Sequence, residues 1–229
     1  MLAEQLRLPV PTQGERSRRL PATIAPMQPT AIDAPFDDPA YLFEPWWPGA
    51  RALAFVERGS LRLQVAGLSD ARAAFPELDE LPSHLAEDGV VTDGALLVLD
   101  DHGRPDAELL RSRLAGAGRP GRPAYVASDL LWAGGQPVAR RSFGVRRTWL
   151  EAILTPGDRF TVGRGYVGDG TLVAEALSSL GVEALSARRL DARHRAGAAG
   201  SAWLRAPVRA LDPRPRPSLA LLLRLPLEG

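Results

Sequence analysis

The stretch FEPWWPGARALAFVERGSLRLQV, residues 43–65, decides the fold. Apolar residues run on either side of the ERGS turn, the pattern of two antiparallel strands joined tightly. Ahead of that hairpin stand Trp46 and Trp47, followed by Pro48 and Gly49. Such a pair, just before a strand, reads either as hydrophobic filling or as a site whose reactive side chain has been replaced.

Outward from the hairpin, PTAIDAPFDDPAYLFEP (29–45) is a loop-rich approach, and residues 1–25, polar and without a sustained period, read as a flexible leader. Downstream, ARAAFPELDELPSHLAE is helical in tendency but broken by Pro76 and Pro82. GVVTDGALLVLDDHGRPD suggests a second hairpin-like unit, and DAELLRSRLAG a short helix ending at Gly116. AYVASDLLWAGGQPV reads as a buried strand with a Gly-Gly turn. VRRTWLEAIL reads as an amphipathic helix stopped by Pro156. There follow a strand RFTVGRGYV, a helix GTLVAEALSSLG closed by Gly181, a strand VEALSARRL, a loop DARHRAGAAGS and a last strand around AWLRAPVRAL. Hairpins mixed with helices argue for an α+β fold, with mixed antiparallel sheets flanked by helices, over a doubly wound parallel sheet.

With 229 residues, 45% of them hydrophobic, the chain can bury a sizeable core. No apolar run reaches the roughly 20 residues of a membrane span, and no secretory signal opens the sequence, so a cytoplasmic protein without a membrane partner is expected. The absence of cysteine excludes disulfides and thiolate chemistry. All 28 basic residues are arginine, and a chain without lysine cannot form a Schiff base or a lysyl phosphoramidate. The net charge of +1 hides an asymmetry: residues 1–110 hold 9 arginines against 18 acids, residues 111–229 hold 19 against 9. A basic C-terminal half suits an anionic partner.

Five segments in register carry a resemblance: PFDDPAYLFEPWWPGARALAF with FPEL after it, DGALLVLDDHGRPDA, SDLLWAGG, VEALSARRLDARHRAG and AWLRAP. Together they resemble the nucleotidyltransferase domain of ATP-dependent DNA ligases, most closely the bacterial end-joining ligase D type. The resemblance implies the DNA ligase/mRNA-capping-type nucleotidyltransferase fold over residues 26–211. It implies ATP and magnesium as the family's cofactors and DNA, nicked or broken duplex, as its substrate.

The departures fall on the residues that, by this resemblance, would touch ATP. Trp46 stands at the position of the adenylated lysine, Pro48 at that of the neighbouring aspartate and Ala50 at that of a tyrosine, while Arg51 persists. Ala95 replaces a glutamate and Ser128 an adenine-stacking phenylalanine, with Asp129 retained; Glu183 matches an acidic position, and Arg188, Arg205 and Pro207 stand where the family has lysines. No catalytic residue and no bound cofactor or metal is therefore expected. His84, His102 and His194 read as surface or loop histidines, and Asp93, Asp100, Asp101 and Asp106 as turn-forming acids rather than a metal cluster. For the tryptophan pair the favoured reading is pocket filling; a stacking platform for a base is the alternative.

Arg188, Arg189, Arg193, Arg195 and Arg205 are candidate contacts to phosphates or the DNA backbone, with structural ion pairs as the competing account. Arg140, Arg141, Arg146 and Arg147 read as a helix's solvated face, with a second basic patch as the alternative. Residues 212–229, a Pro/Arg linker and apolar tail, stand where the linker to the family's OB-fold domain would begin, and no OB-fold domain is expected. The leading expectation is a catalytically inactive ligase-like protein that binds DNA or a DNA-repair partner. One alternative is an enzyme or sensor binding a nucleotide non-covalently through Arg188, Arg205, Glu183 and Asp129, the two acids holding a metal. The other is an interaction module that docks through its C-terminal tail.

Overall fold

The computed structural model describes residues 19–197 and 200–208. Residues 1–18, most of the expected leader, and the Pro/Arg linker and tail lie outside the described residues. The elements run in the order β1 (Thr30–Ala31), β2 (Asp38–Pro45), β3 (Ala50–Glu57), β4 (Ser60–Val65), β5 (Val90–Leu99), α1 (Ala107–Leu114), β6 (Arg122–Ala133), β7 (Gln136–Pro137), α2 (Phe143–Ile153), β8 (Phe160–Val162), β9 (Tyr166–Gly168), α3 (Gly170–Ser179), β10 (Ala184–Arg189) and β11 (Trp203–Pro207). They form two mixed sheets with helices packed on them, the α+β architecture expected.

One sheet has the order β4-β3-β5-β6-β7, with β8 lying parallel against β6. The ERGS hairpin is its start. Arg58 and Gly59 have φ of 55° and 70°, the paired left-handed residues of a two-residue turn whose twist matches its strands. Its central strands β5 and β6 are apolar runs buried on both faces. Gly94 in β5 sits where a Cβ would stand 2.3 Å from the Val126 carbonyl oxygen, so only glycine lets the two backbones meet there. Beneath the sheet, Phe75, Leu78, Leu96, Tyr125, Leu130, Trp149 and Leu150 form the main core. Residues 19–25 run beside the outer strands: Gln64 bonds both the N–H and the carbonyl of Ile24, and Glu57 accepts from the Leu20 N–H.

The other sheet has the order β1-β11-β10-β2-β9, with α3 packed on it through Val173, Ala174 and Leu177 against Tyr41, Phe43 and Leu185. Three sequence expectations are corrected. GVVTDGALLVLDDHGRPD is one long strand and a tight turn: β5 pairs along its length with β3 and β6, and only a single bridge, Leu99 to Pro105, joins it to the residues after it. RFTVGRGYV is two short strands, β8 in one sheet and β9 in the other, so its backbone crosses between them. The segment with Pro76 and Pro82 forms three short 3₁₀ turns instead of a helix. Among the described residues, no helix is long and apolar enough to cross a membrane.

Candidate functional site

The two sheets enclose a cleft whose walls come from β2, β3, β5, β6, β10 and β11. β2 delivers Glu44 into it as a buried carboxylate. Arg147 of α2 meets Glu44 at 2.7 Å and Glu151 at 2.7 Å, and donates to the carbonyls of Ser128 and Gly163. Burial works to lower the Arg147 guanidinium, but Glu44 and Glu151 hold it above the usual arginine value. Asp129 of β6 is fully buried and receives a fork of two bonds from Arg146, at 2.7 and 2.8 Å, with Arg188 at 3.2 Å on the same carboxylate. Burial works to raise the Asp129 carboxyl, yet Arg146 and Arg188 outweigh it and hold it below the ordinary range.

Arg51 of β3 grips Asp93 of β5 through two bonds and donates to the Met27 carbonyl. Its guanidinium lies 4.5 Å from the centre of the Trp203 ring, and that of Arg188 lies 4.1 Å from it. The Trp203 indole N–H donates to the Ser186 hydroxyl at 2.9 Å. Trp46 lies 5.8 Å from Trp203 with the rings tilted by 32°, and Arg205 caps Trp46 at 4.6 Å. Burial pulls the Arg188 guanidinium below the usual arginine value, although Asp129, Asp93 and Glu44 oppose the shift. Breaking one such buried pair by removing a partner costs about 3–5 kcal/mol.

Two spaces remain. The inner one, about 70 Å³, is lined by Glu44, Trp46, Arg51, Ala95, Arg188 and Trp203 among others. The outer one, about 430 Å³, opens beside Trp46, Trp47, Pro48, Arg104, Glu183 and Arg205.

The structure thus brings Trp46, Arg51, Ala95, Ser128, Arg188 and Arg205 around one cleft, with Pro48 and Glu183 at its outer mouth. It separates the two proposed metal carboxylates: Glu183 is exposed, whereas Asp129 is buried under guanidiniums. Among the described residues no group of three or more histidines and acids could hold a metal ion.

Several sequence assignments change. Arg146 and Arg147 are buried, 1% and 4% exposed, not a solvated face, because each answers a buried carboxylate. Asp93 is a buried ion-pair partner rather than a turn acid, while Asp100 and Asp106 do organise a turn and cap α1. Arg188 is 3% exposed and bonded to Asp129 and the Ser128 hydroxyl, so no DNA backbone can reach it in this structure. Arg189 pairs with Asp191; Arg193, Arg195 and Arg205 are exposed. His194 is half-buried, its Nε2 enclosed without a hydrogen-bond partner among the described residues.

Sequence reasoning missed Glu44, Asp93, Arg146, Arg147 and Trp203 as parts of this site. A signal existed: positions 143, 146, 147, 150 and 153 share one helix face, so both arginines of α2 fall on its apolar side.

No protein-family model matches the chain. The multifunctional non-homologous end joining DNA repair protein LigD of Mycobacterium tuberculosis is 32% identical over 165 residues, covering 72% of this chain and 21% of that protein. The chain therefore spans about a fifth of the length of the curated LigD relatives it matches. Mycobacterial DNA ligase D complexed with ATP and MES superposes with a TM-score of 0.69 at 29% identity, covering 81% of this chain and 60% of the other. The ligase domain of M. tuberculosis LigD gives 0.67 at 29%, covering 80% and 59%. The chain is a homologue of the LigD ligase domains and carries the nucleotidyltransferase fold of ATP-dependent DNA ligases.

Proposed function

We propose that this chain is a ligase-like domain that has lost lysine adenylylation and serves DNA repair by binding DNA. One observation carries the reading: the inner part of the cleft between the sheets is occupied by the chain's own Trp46, Trp203, Arg51 and Arg188, leaving about 70 Å³ there. Small-molecule sites need roughly 300–1,000 Å³. ATP and magnesium do not fit here, since the inner carboxylates Glu44, Asp93 and Asp129 are already held by guanidiniums. The absence of any lysine removes the covalent step independently. Fold and homology supply the repair setting; the basic C-terminal half supplies the attraction to DNA.

The test has two arms. Incubation with ATP labelled on its α-phosphate and magnesium, followed by denaturing separation, should leave the protein unlabelled; a label that survives denaturation would overturn the inactive reading. Fluorescence anisotropy with nicked, blunt-ended and single-stranded DNA across a salt series should show binding that weakens with salt. No binding at low salt removes the DNA half.

A second reading, non-covalent nucleotide binding, draws on the outer cleft of about 430 Å³ beside Trp46 and Arg205. Of its four residues, Asp129 and Arg188 are committed to each other, leaving Arg205 and Glu183 at the cleft. Calorimetry with ATP and magnesium decides it, silence ending that reading.

A further inference from the structure

We propose that Arg140, Arg141, Arg193 and Arg195 form one phosphate-contacting surface for duplex DNA, away from the cleft that adenylylation would use. The inference rests on the DNA-binding reading above and assigns it a place.

The four arginines are distant in sequence but share one surface, because two loops are stitched together. The His194 N–H donates to the Ala139 carbonyl at 3.0 Å, the Phe143 N–H to Ala192 at 2.8 Å and the Gly144 N–H to Leu190 at 2.8 Å. Buried Arg146 braces both loops from below: its Nη1 donates to the carbonyls of Arg141, at 2.5 Å, and Ala192, at 3.2 Å, while its other nitrogens hold Asp129. The loops are therefore fixed relative to each other before any ligand arrives, which lowers the ordering cost of binding.

The chemistry of the surface is one-sided. All four arginines are exposed. Among the described residues, the guanidiniums of Arg140, Arg193 and Arg195 have no ion-pair or hydrogen-bond partner, and Arg141 lies 6.0 Å from the Trp149 ring centre. Across residues 139–147 and 189–197 the one acid is Asp191, and Arg189 neutralises it through two bonds at 2.7 and 3.2 Å. The N-terminus of α2, an eleven-residue helix, adds its partial positive charge to the same place.

The residues flanking the arginines are Ala139, Ser142, Ala192, Ala196 and Gly197, and His194, between Arg193 and Arg195, is half-buried. Small side chains let a sugar-phosphate backbone approach and offer no apolar pocket to read a peptide, which is why the surface suits duplex DNA over an acidic protein segment. Guanidinium forks can each take a phosphate through two bonds.

The experiment compares the full chain with two triple variants that remove equal charge. One carries Arg140→Ser, Arg193→Ser and Arg195→Ser; the other carries Arg111→Ser, Arg122→Ser and Arg164→Ser, exposed arginines elsewhere. Binding to a fluorescein-labelled nicked duplex is followed by anisotropy across a salt series, after circular dichroism shows that each variant is folded. The expected result is wild-type binding, a loss of roughly 100-fold for the first variant near 0.1 M salt, and a flattening of its log–log salt slope by about 2 to 3, with the second variant close to wild type. Equal losses in both variants would overturn this surface while leaving DNA binding intact. Absence of wild-type binding at low salt would overturn the surface and the DNA-binding reading together. Displacement of the duplex by polyglutamate at equal charge would also overturn it, as a site for any polyanion.

Discussion

At the scale of single residues, His194 is the informative one. Burial lowers its imidazole, Asp129 and Asp93 pull the other way, and Arg146 and Arg51 reinforce the lowering, so the ring is favoured neutral in the folded chain. A free histidine titrates near about 6.5. Because the folded value lies below that, the stability tied to this residue is full above about pH 6.5 and is lost as pH falls through the depressed value. Urea titrations at stepped pH should show stability declining below that point, and His194→Gln should flatten the decline. An unchanged slope in the variant would assign it to another group. The sequence placed His194 in a loop correctly, but its burial depends on Arg146 pulling two loops together. No spacing within either loop encodes that.

At the scale of elements, the fold was largely legible because period and punctuation agree. The ERGS hairpin, the three helices and the strands β6, β10 and β11 follow from short apolar runs, helical periodicity, a capping Asp106 and closing glycines. The failures share a cause. β5 looked like half of a hairpin, and β8–β9 like one strand, because partners lying far away in sequence decide pairing. The arginines of α2 were legible as a helix face but not as buried, since their carboxylates arrive from β2 and β6. Gly94 is where element geometry is tightest. Gly94→Ala should lower stability by about 1–3 kcal/mol, read as a shifted urea midpoint at constant slope. No shift would mean the β5–β6 backbones can separate at little cost.

At the scale of the whole molecule, the sheets are joined by side chains that belong to both. Arg147 reaches Glu44, Asp129 reaches Arg188, and Arg51 packs on Trp203. These ties predict one cooperative transition, with indole fluorescence and far-ultraviolet circular dichroism giving the same thermal midpoint. Separate midpoints would mean that the sheets melt independently. The plug between the sheets also bears on evolutionary reversibility. On the proposed reading, a lysine returning at position 46 would meet Arg205, now 4.6 Å from the Trp46 ring, and would trade a favourable stack for a second cation beside the first. It would still face Trp203 flanked by Arg51 and Arg188. On the same reading that single step is uphill, so the arrangement acts as a ratchet against recovering the chemistry one residue at a time.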